Sequence, residues 1–89
     1  MAVRHHIRVL VVDDDPQDCK TVGMILKEHD YHVQSYSQPR QAVQAVRKNP
    51  FDVALVDIKM PDMNGLEVVE KVKAEDPRIA VLVMTAYPD

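Results

Sequence analysis

Short apolar runs alternate along the chain with segments whose apolar residues recur at helical spacing. Residues 7–12 are rich in β-branched side chains and almost wholly apolar, which is typical of a strand buried on both faces. Residues 31–36 alternate between polar and apolar side chains, a pattern that predicts an edge strand. Two further apolar runs, residues 51–56 and 79–84, complete the set of predicted strands.

A helix is predicted after the first strand. Asp15 is a favourable helix cap, and Pro16 suits the first helical position. The helix ends near residues 27–30, and its apolar residues share one face, so Cys19 is expected in the core rather than as a redox sensor. The residues predicted to face the core are Cys19, Val22, Gly23 and Leu26.

Two more helices are predicted, one on each side of the third strand. The first spans residues 37–50 and has Pro39 in its opening turn. Asn64 begins the second, with Glu67 three positions later at the spacing of a capping box, and the helix stops before Asp76. The side chains expected to face the sheet are Ala42, Ala45 and Val46 in one helix and Leu66, Val69 and Val72 in the other.

Strands that alternate with helices of this length predict βαβ units, and therefore a parallel sheet with right-handed crossovers. The predicted fold class is α/β, a doubly wound sheet in a single domain over residues 1–89. The fourth strand, residues 79–84, does not alternate, so both of its faces are expected to need cover. We expect a further helix and strand, or a second molecule, to supply that cover.

Composition narrows the class of protein. The chain has 89 residues, of which 46% are hydrophobic and 28% charged, as in a globular domain. Its formal charge of -3 argues against electrostatic binding to nucleic acid, which needs a basic surface. No apolar run approaches the ~20 residues that span a membrane. Cys19 is the only cysteine, which excludes an internal disulfide and favours the cytoplasm.

Acidic and hydroxyl side chains lie at the carboxyl ends of the predicted strands. Asp13 and Asp14 follow the first strand, Asp57 the third and Thr85 the fourth. If the first and third strands are neighbours, the carboxylates meet in one pocket, and a cation would relieve their repulsion. Oxygen ligands suit Mg²⁺, beside which a carboxylate is able to attack phosphorus. A single aspartate at a strand end is more often a cap or a solvated loop residue, but the combination indicates a site.

Three segments resemble the response regulator receiver domain, the phosphoacceptor module of bacterial two-component signalling. They are residues 11–15 (VVDDD), residues 56–65 (VDIKMPDMNG) and residues 83–86 (VMTA). The resemblance implies a flavodoxin-like sheet with strand order 2-1-3-4, lacking the last helix, strand and helix of the full fold. It also implies a phosphohistidine donor, carried by a sensor histidine kinase or a phosphotransfer protein.

The resemblance assigns roles to individual residues. Asp57 would accept the phosphoryl group, the Thr85 hydroxyl would move towards it as a switch, and the Ala86 N–H would bind it. The domain would be a signalling module rather than an enzyme, with at most self-catalysed transfer and autodephosphorylation. The Mg²⁺ ligands would be Asp13, Asp14, Asp57 and the backbone carbonyl of Lys59.

Two other functions remain open. A hydrolase of the haloacid dehalogenase type is suggested faintly by Asp13 and Asp15 after one strand and Thr85 after another, and its modified residue would be Asp13. A non-phosphorylated interaction fragment, associating through its exposed sheet edge, would keep its oligomeric state after Asp57→Asn. For the chain as given we expect a homo-oligomer or a segment-exchanged dimer.

Overall fold

A four-stranded parallel sheet organises the part of the chain that the computed structural model describes, residues 7–57 and 64–84. The strands lie in the order β2-β1-β3-β4, so the predicted α/β class and the order 2-1-3-4 are confirmed. That residues 1–89 form one domain stays a prediction. The elements are β1 (Arg8–Val12), α1 (Pro16–Glu28), β2 (His32–Tyr36), α2 (Pro39–Lys48), β3 (Val53–Asp57), α3 (Gly65–Glu75) and β4 (Ala80–Met84).

Strand β1 occupies the interior of the sheet because both of its faces are apolar. Leu10 and Val12 belong to a core shared with α2 and α3, whereas Val9 and Val11 face a second core beneath α1. All four side chains are buried, as the apolar run predicted. The alternating strand β2 lies at one edge, where its side chains are exposed or half-buried.

Helix α1 packs on the sheet through the face that its spacing predicted. The carboxylate of Asp15 caps the helix, accepting a hydrogen bond of 2.9 Å from the backbone N–H of Gln17. Gly23 allows a close approach to β2, since a Cβ atom there would lie 3.3 Å from the Ser35 hydroxyl oxygen. Within the described ranges, no helix is long and apolar enough to cross a membrane.

Helix α3 differs from the prediction in its first turn. Leu66, which was expected to face the sheet, is 56% exposed. The buried residues of α3 are Gly65, Val68 and Val72, because the face that packs on the sheet starts at Gly65 and not at Leu66. In α2 the predicted residues Ala42, Ala45 and Val46 are buried as expected.

Strand β4 forms the other edge of the described sheet. Leu82 is 57% exposed and Val83 is 44% exposed, and successive residues of a strand point to opposite faces. Both faces of β4 are therefore open to solvent within the described part of the chain. What covers them stays a prediction.

Candidate functional site

Three aspartates come together at the carboxyl edge of the sheet. Val12 pairs with Val56, so Asp13 and Asp57, the next residue on each strand, lie beside each other. Asp14 follows directly, at the start of the connection to α1. One carboxylate oxygen from each aspartate lies within 4.8 Å of the other two. The packing of β1 against β3 thus gathers carboxylates that are far apart in the sequence.

Asp13 is buried and held by its neighbours. Its backbone N–H donates to the carbonyl oxygen of Tyr36 at 3.1 Å, beyond the last paired residue of β1. Its own Oδ1 accepts a hydrogen bond of 3.0 Å from the N–H of Asp15. The Cys19 thiol lies 3.2 Å from its carbonyl oxygen. These contacts fix both the backbone and the carboxylate of Asp13.

The electrostatics of the cluster disfavour a full negative charge. Burial raises the pKa of Asp13 from 3.8 to about 6, although the hydrogen bond from Asp15 acts in the opposite direction. The negative charges of Asp57 and Asp18 add to the rise in the pKa, as does a side-chain hydrogen bond with Asp57. A bound cation would lower the pKa of Asp13 again, because it stabilises the ionised carboxylates.

The donor set fits a hard divalent cation. All three groups offer carboxylate oxygen, the ligand that Mg²⁺ and Ca²⁺ prefer. Asp14 and Asp57 are half-buried, so that water still reaches them. Mg²⁺ typically keeps several waters and takes only one or two carboxylates, which suits a partly open cluster of this kind.

Three residues with predicted roles lie outside the described residues. They are Lys59, Thr85 and Ala86. Their roles as metal ligand, switch hydroxyl and phosphoryl-binding N–H stay predictions, as does the function assigned to each aspartate.

Cys19 contacts the site, which the apolar pattern of α1 alone did not predict. It is buried in the core, as predicted, and its sulfur also lies 3.2 Å from the carbonyl oxygen of Asp13. A signal was available: Cys19 is the first apolar residue of the α1 stripe, only four positions after the Asp15 cap. The first core-facing residue of such a helix lies closest to the carboxyl ends of the strands.

Comparisons with known proteins assign the chain to a family. Residues 9–89 match the model of the response regulator receiver domain. The transcriptional regulatory protein ZraR of Escherichia coli K12 is 40% identical over 82 residues, which cover 92% of this chain and 19% of ZraR. The chain therefore spans about a fifth of the length of that relative.

Solved structures show the same fold. A CheY-like receiver domain protein from Methanospirillum hungatei has a TM-score of 0.87 at 30% identity, over 96% of this chain and 68% of the other. The response regulator TrrA of Thermotoga maritima, in complex with Mg²⁺-BeF, has a TM-score of 0.83 at 28% identity, covering 91% and 70% of the two chains. A complex of TrrA with histidine kinase ThkA also matches, with a TM-score of 0.82 and 28% identity, over 93% and 72%. Together with the matched residues 9–89, these structures show that the chain belongs to the response regulator receiver domain family of two-component systems.

Proposed function

We propose that this domain accepts a phosphoryl group on Asp57 from a phosphohistidine donor, in a reaction that depends on Mg²⁺. The observation that carries the proposal is the cluster of Asp13, Asp14 and Asp57, whose carboxylate oxygens lie within 4.8 Å of one another. Asp57 is half-buried at the end of β3, so an incoming donor is able to reach it. Asp13 is almost fully buried and better suited to holding a ligand.

The chemistry is a displacement at phosphorus. A carboxylate oxygen of Asp57 attacks, the P–N bond to the donor imidazole breaks, and the electron pair of that bond stays on the imidazole nitrogen. The attacking group and the phosphoryl oxygens are all negatively charged, and a bound Mg²⁺ supplies the opposing charge. Asp13, Asp14, Asp57 and the Lys59 carbonyl would hold the ion, while the Thr85 hydroxyl and the Ala86 N–H would receive the phosphoryl oxygens.

The proposed partner is a sensor histidine kinase or a phosphotransfer protein. A similar response regulator has been solved in complex with a histidine kinase, which supports a partner of this class. In this role the domain is a signalling switch rather than an enzyme that turns over a substrate. Its location in the cytoplasm stays a prediction, as does the absence of nucleic-acid binding.

Self-association through β4 is a second proposal, and it concerns the assembly of the chain. Leu82 and Val83 expose apolar surface on opposite faces of an edge strand whose sequence, AVLVM, has no charge and no proline. Edges of this kind pair readily with another strand. An interaction fragment that does no phosphoryl chemistry would depend on this edge alone.

The hydrolase alternative is less well supported by the contacts of Asp13. A nucleophile needs an accessible oxygen, but Asp13 is only 6% exposed and its Oδ1 already accepts the Asp15 N–H. Asp57, at the end of β3, is the more open of the two carboxylates.

Beryllofluoride, a stable mimic of a phosphoryl group, tests the proposed function. We expect a bound ¹⁹F NMR signal when the protein receives Mg²⁺ and beryllofluoride together, and none when Mg²⁺ is left out. Asp57→Asn should abolish the signal. Asp52→Asn is the matched control, because this exposed aspartate precedes the same strand and its amide oxygen is still able to accept the Arg8 N–H. A signal that persists in Asp57→Asn would contradict the proposal.

A further inference from the structure

We propose that Cys19 is a positioning residue, whose buried thiol holds the peptide group that joins Asp13 to Asp14. The expected effect of Cys19 on the affinity for Mg²⁺ rests on the function proposed above. The side chain of Cys19 is 5% exposed, and its sulfur lies 3.2 Å from the Asp13 carbonyl oxygen and 3.4 Å from that of Tyr36. A thiol has one hydrogen to donate, and the Asp13 carbonyl is the nearer acceptor.

This peptide group joins Asp13 to Asp14, the two residues after β1 whose carboxylates are predicted to bind the metal. Because a peptide group is planar, fixing the carbonyl of Asp13 also fixes the N–H of Asp14 and the direction in which each Cα leaves it. The pairing of β1 with both neighbours ends at Val12, so strand pairing does not extend to this carbonyl. Within residues 7–57 and 64–84, the donor to the Asp13 carbonyl is the Cys19 thiol.

Cys19 is itself fixed from two sides. Its N–H donates to the carbonyl oxygen of Asp15 at 3.1 Å, the first hydrogen bond of α1. Its carbonyl oxygen accepts a hydrogen bond of 3.4 Å from the Ser35 hydroxyl on β2. Contacts with a helix and a strand therefore hold Cys19 in place. From this position its thiol orients the peptide group between Asp13 and Asp14.

A purely structural role makes a different prediction. Cys19 packs with Val9 and Val11 in the core beneath α1, where a thiol behaves as a small apolar group. If packing were its whole contribution, apolar replacements would serve at least as well as hydroxyl-bearing ones. Two matched pairs of variants separate the roles, since the members of each pair differ mainly in the presence of a hydroxyl donor. They are Cys19→Ser with Cys19→Ala, and Cys19→Thr with Cys19→Val.

The first measurement needs no metal. In ¹⁵N-labelled, Mg²⁺-free protein, the amide signal of Asp14 reports on the carbonyl to which it is bonded. We expect this signal to shift and broaden in Cys19→Ala and Cys19→Val, and to stay near its wild-type position in the serine and threonine variants. An Asp14 signal that is unchanged in both donor-free variants overturns the inference.

The second measurement is the affinity for Mg²⁺ by titration calorimetry, with urea unfolding of the same variants. Loss of the thiol donor should weaken binding about 3- to 10-fold, the effect expected when one neutral hydrogen bond is removed. The hydroxyl variants should bind more tightly than their apolar partners, whatever the order of their unfolding free energies. Affinity that follows unfolding free energy instead, with the apolar variants best, overturns the role. If the wild-type protein binds no Mg²⁺, the proposed function fails and the metal consequence fails with it, while the Asp14 signal still decides whether the thiol holds the peptide.

Discussion

The carboxyl groups of Asp13 and Asp57 interact directly, because β1 and β3 are paired through the residue before each of them. In the protein without metal, this proximity disfavours the ionised form of Asp13. Burial, the Asp57 charge and the hydrogen bond between the two side chains all raise the pKa of Asp13, which reaches about 6. The stability of the domain should therefore respond to protons and to divalent cations at the same place.

The pH dependence of stability should carry the signature of Asp13. Its pKa is about 6 in the folded protein against 3.8 as the ordinary value, so the folded state binds more protons between these two pH values. The contribution of Asp13 to the free energy of unfolding is thus largest below about pH 4 and falls as the pH rises through 6. Allowing for solvent screening, the loss is roughly 1–2 kcal/mol.

Urea unfolding at several pH values, in the presence of a chelator, checks this prediction. Asp13→Asn does not titrate, so its stability should decline less than that of the wild type between pH 4 and 7. Carboxylates outside the cluster contribute to both proteins alike, so the difference between the two curves reports on Asp13 together with its interaction with Asp57. Parallel curves would show that the raised pKa makes no difference to folding.

Mg²⁺ should stabilise the wild-type domain against heat. An ion that binds only the folded state at 100 times its Kd adds about 2.7 kcal/mol, which corresponds to a rise in Tm of roughly 10 °C or more for a domain of this size. Asp14→Asn should lose most of this rise, whereas Asp52→Asn should keep it. An equal response in the two variants would mean that Mg²⁺ binds elsewhere.

Replacement of Gly23 should depend on the size of the new side chain. Gly23→Ala improves helix propensity by about 1 kcal/mol. Its Cβ would lie 3.3 Å from the hydroxyl oxygen of Ser35. That hydroxyl is able to rotate away, with loss of its 3.4 Å hydrogen bond to the Cys19 carbonyl oxygen. We expect a change in unfolding free energy within about 1 kcal/mol, favouring alanine. Gly23→Leu should destabilise by about 2–3 kcal/mol because α1 would be pushed away from β2.

Gly23→Ala and Gly23→Leu are compared by chemical denaturation. A leucine that is tolerated as well as alanine would indicate that α1 lies further from β2 than the 3.3 Å between a Cβ atom at Gly23 and the Ser35 hydroxyl oxygen implies.

Self-association through β4 should depend on its exposed apolar side chains. Leu82→Lys places a charge on the outer edge of the sheet, which disfavours pairing with another strand. Because Leu82 is 57% exposed, the substitution should cost little stability. Sedimentation velocity over a range of concentrations should show association in the wild type and a monomer in Leu82→Lys. A wild-type chain that stays monomeric throughout would refute the proposed assembly.

The architecture was largely predictable because few folds are able to bury apolar patterns of this kind. An apolar run such as that of β1 needs cover on both faces, the helix-length connections require parallel strands, and parallel strands bring Asp13 and Asp57 to one edge. The strand order itself came from the resemblance to receiver domains.

Details that depend on tertiary placement were harder to predict. Leu66 was expected to face the sheet, but the sheet-facing stripe starts at Gly65, and periodicity alone does not fix that offset. The contact between Cys19 and Asp13 depends on how the first turn of α1 lies over β1 and β2. The raised pKa of Asp13 likewise depends on burial that the sequence does not reveal.

Chemical mapping of the phosphorylated residue directly tests whether Asp57 accepts the phosphoryl group. The protein is incubated with Mg²⁺ and phosphoramidate, trapped by borohydride reduction, which converts an aspartyl phosphate to homoserine, and digested with trypsin. We expect modification in the peptide of residues 49–59, which should be lost in Asp57→Asn and retained in Asp52→Asn. Modification in the peptide of residues 9–20, which contains Asp13, would contradict it, and so would labelling of residues 49–59 that survives in Asp57→Asn.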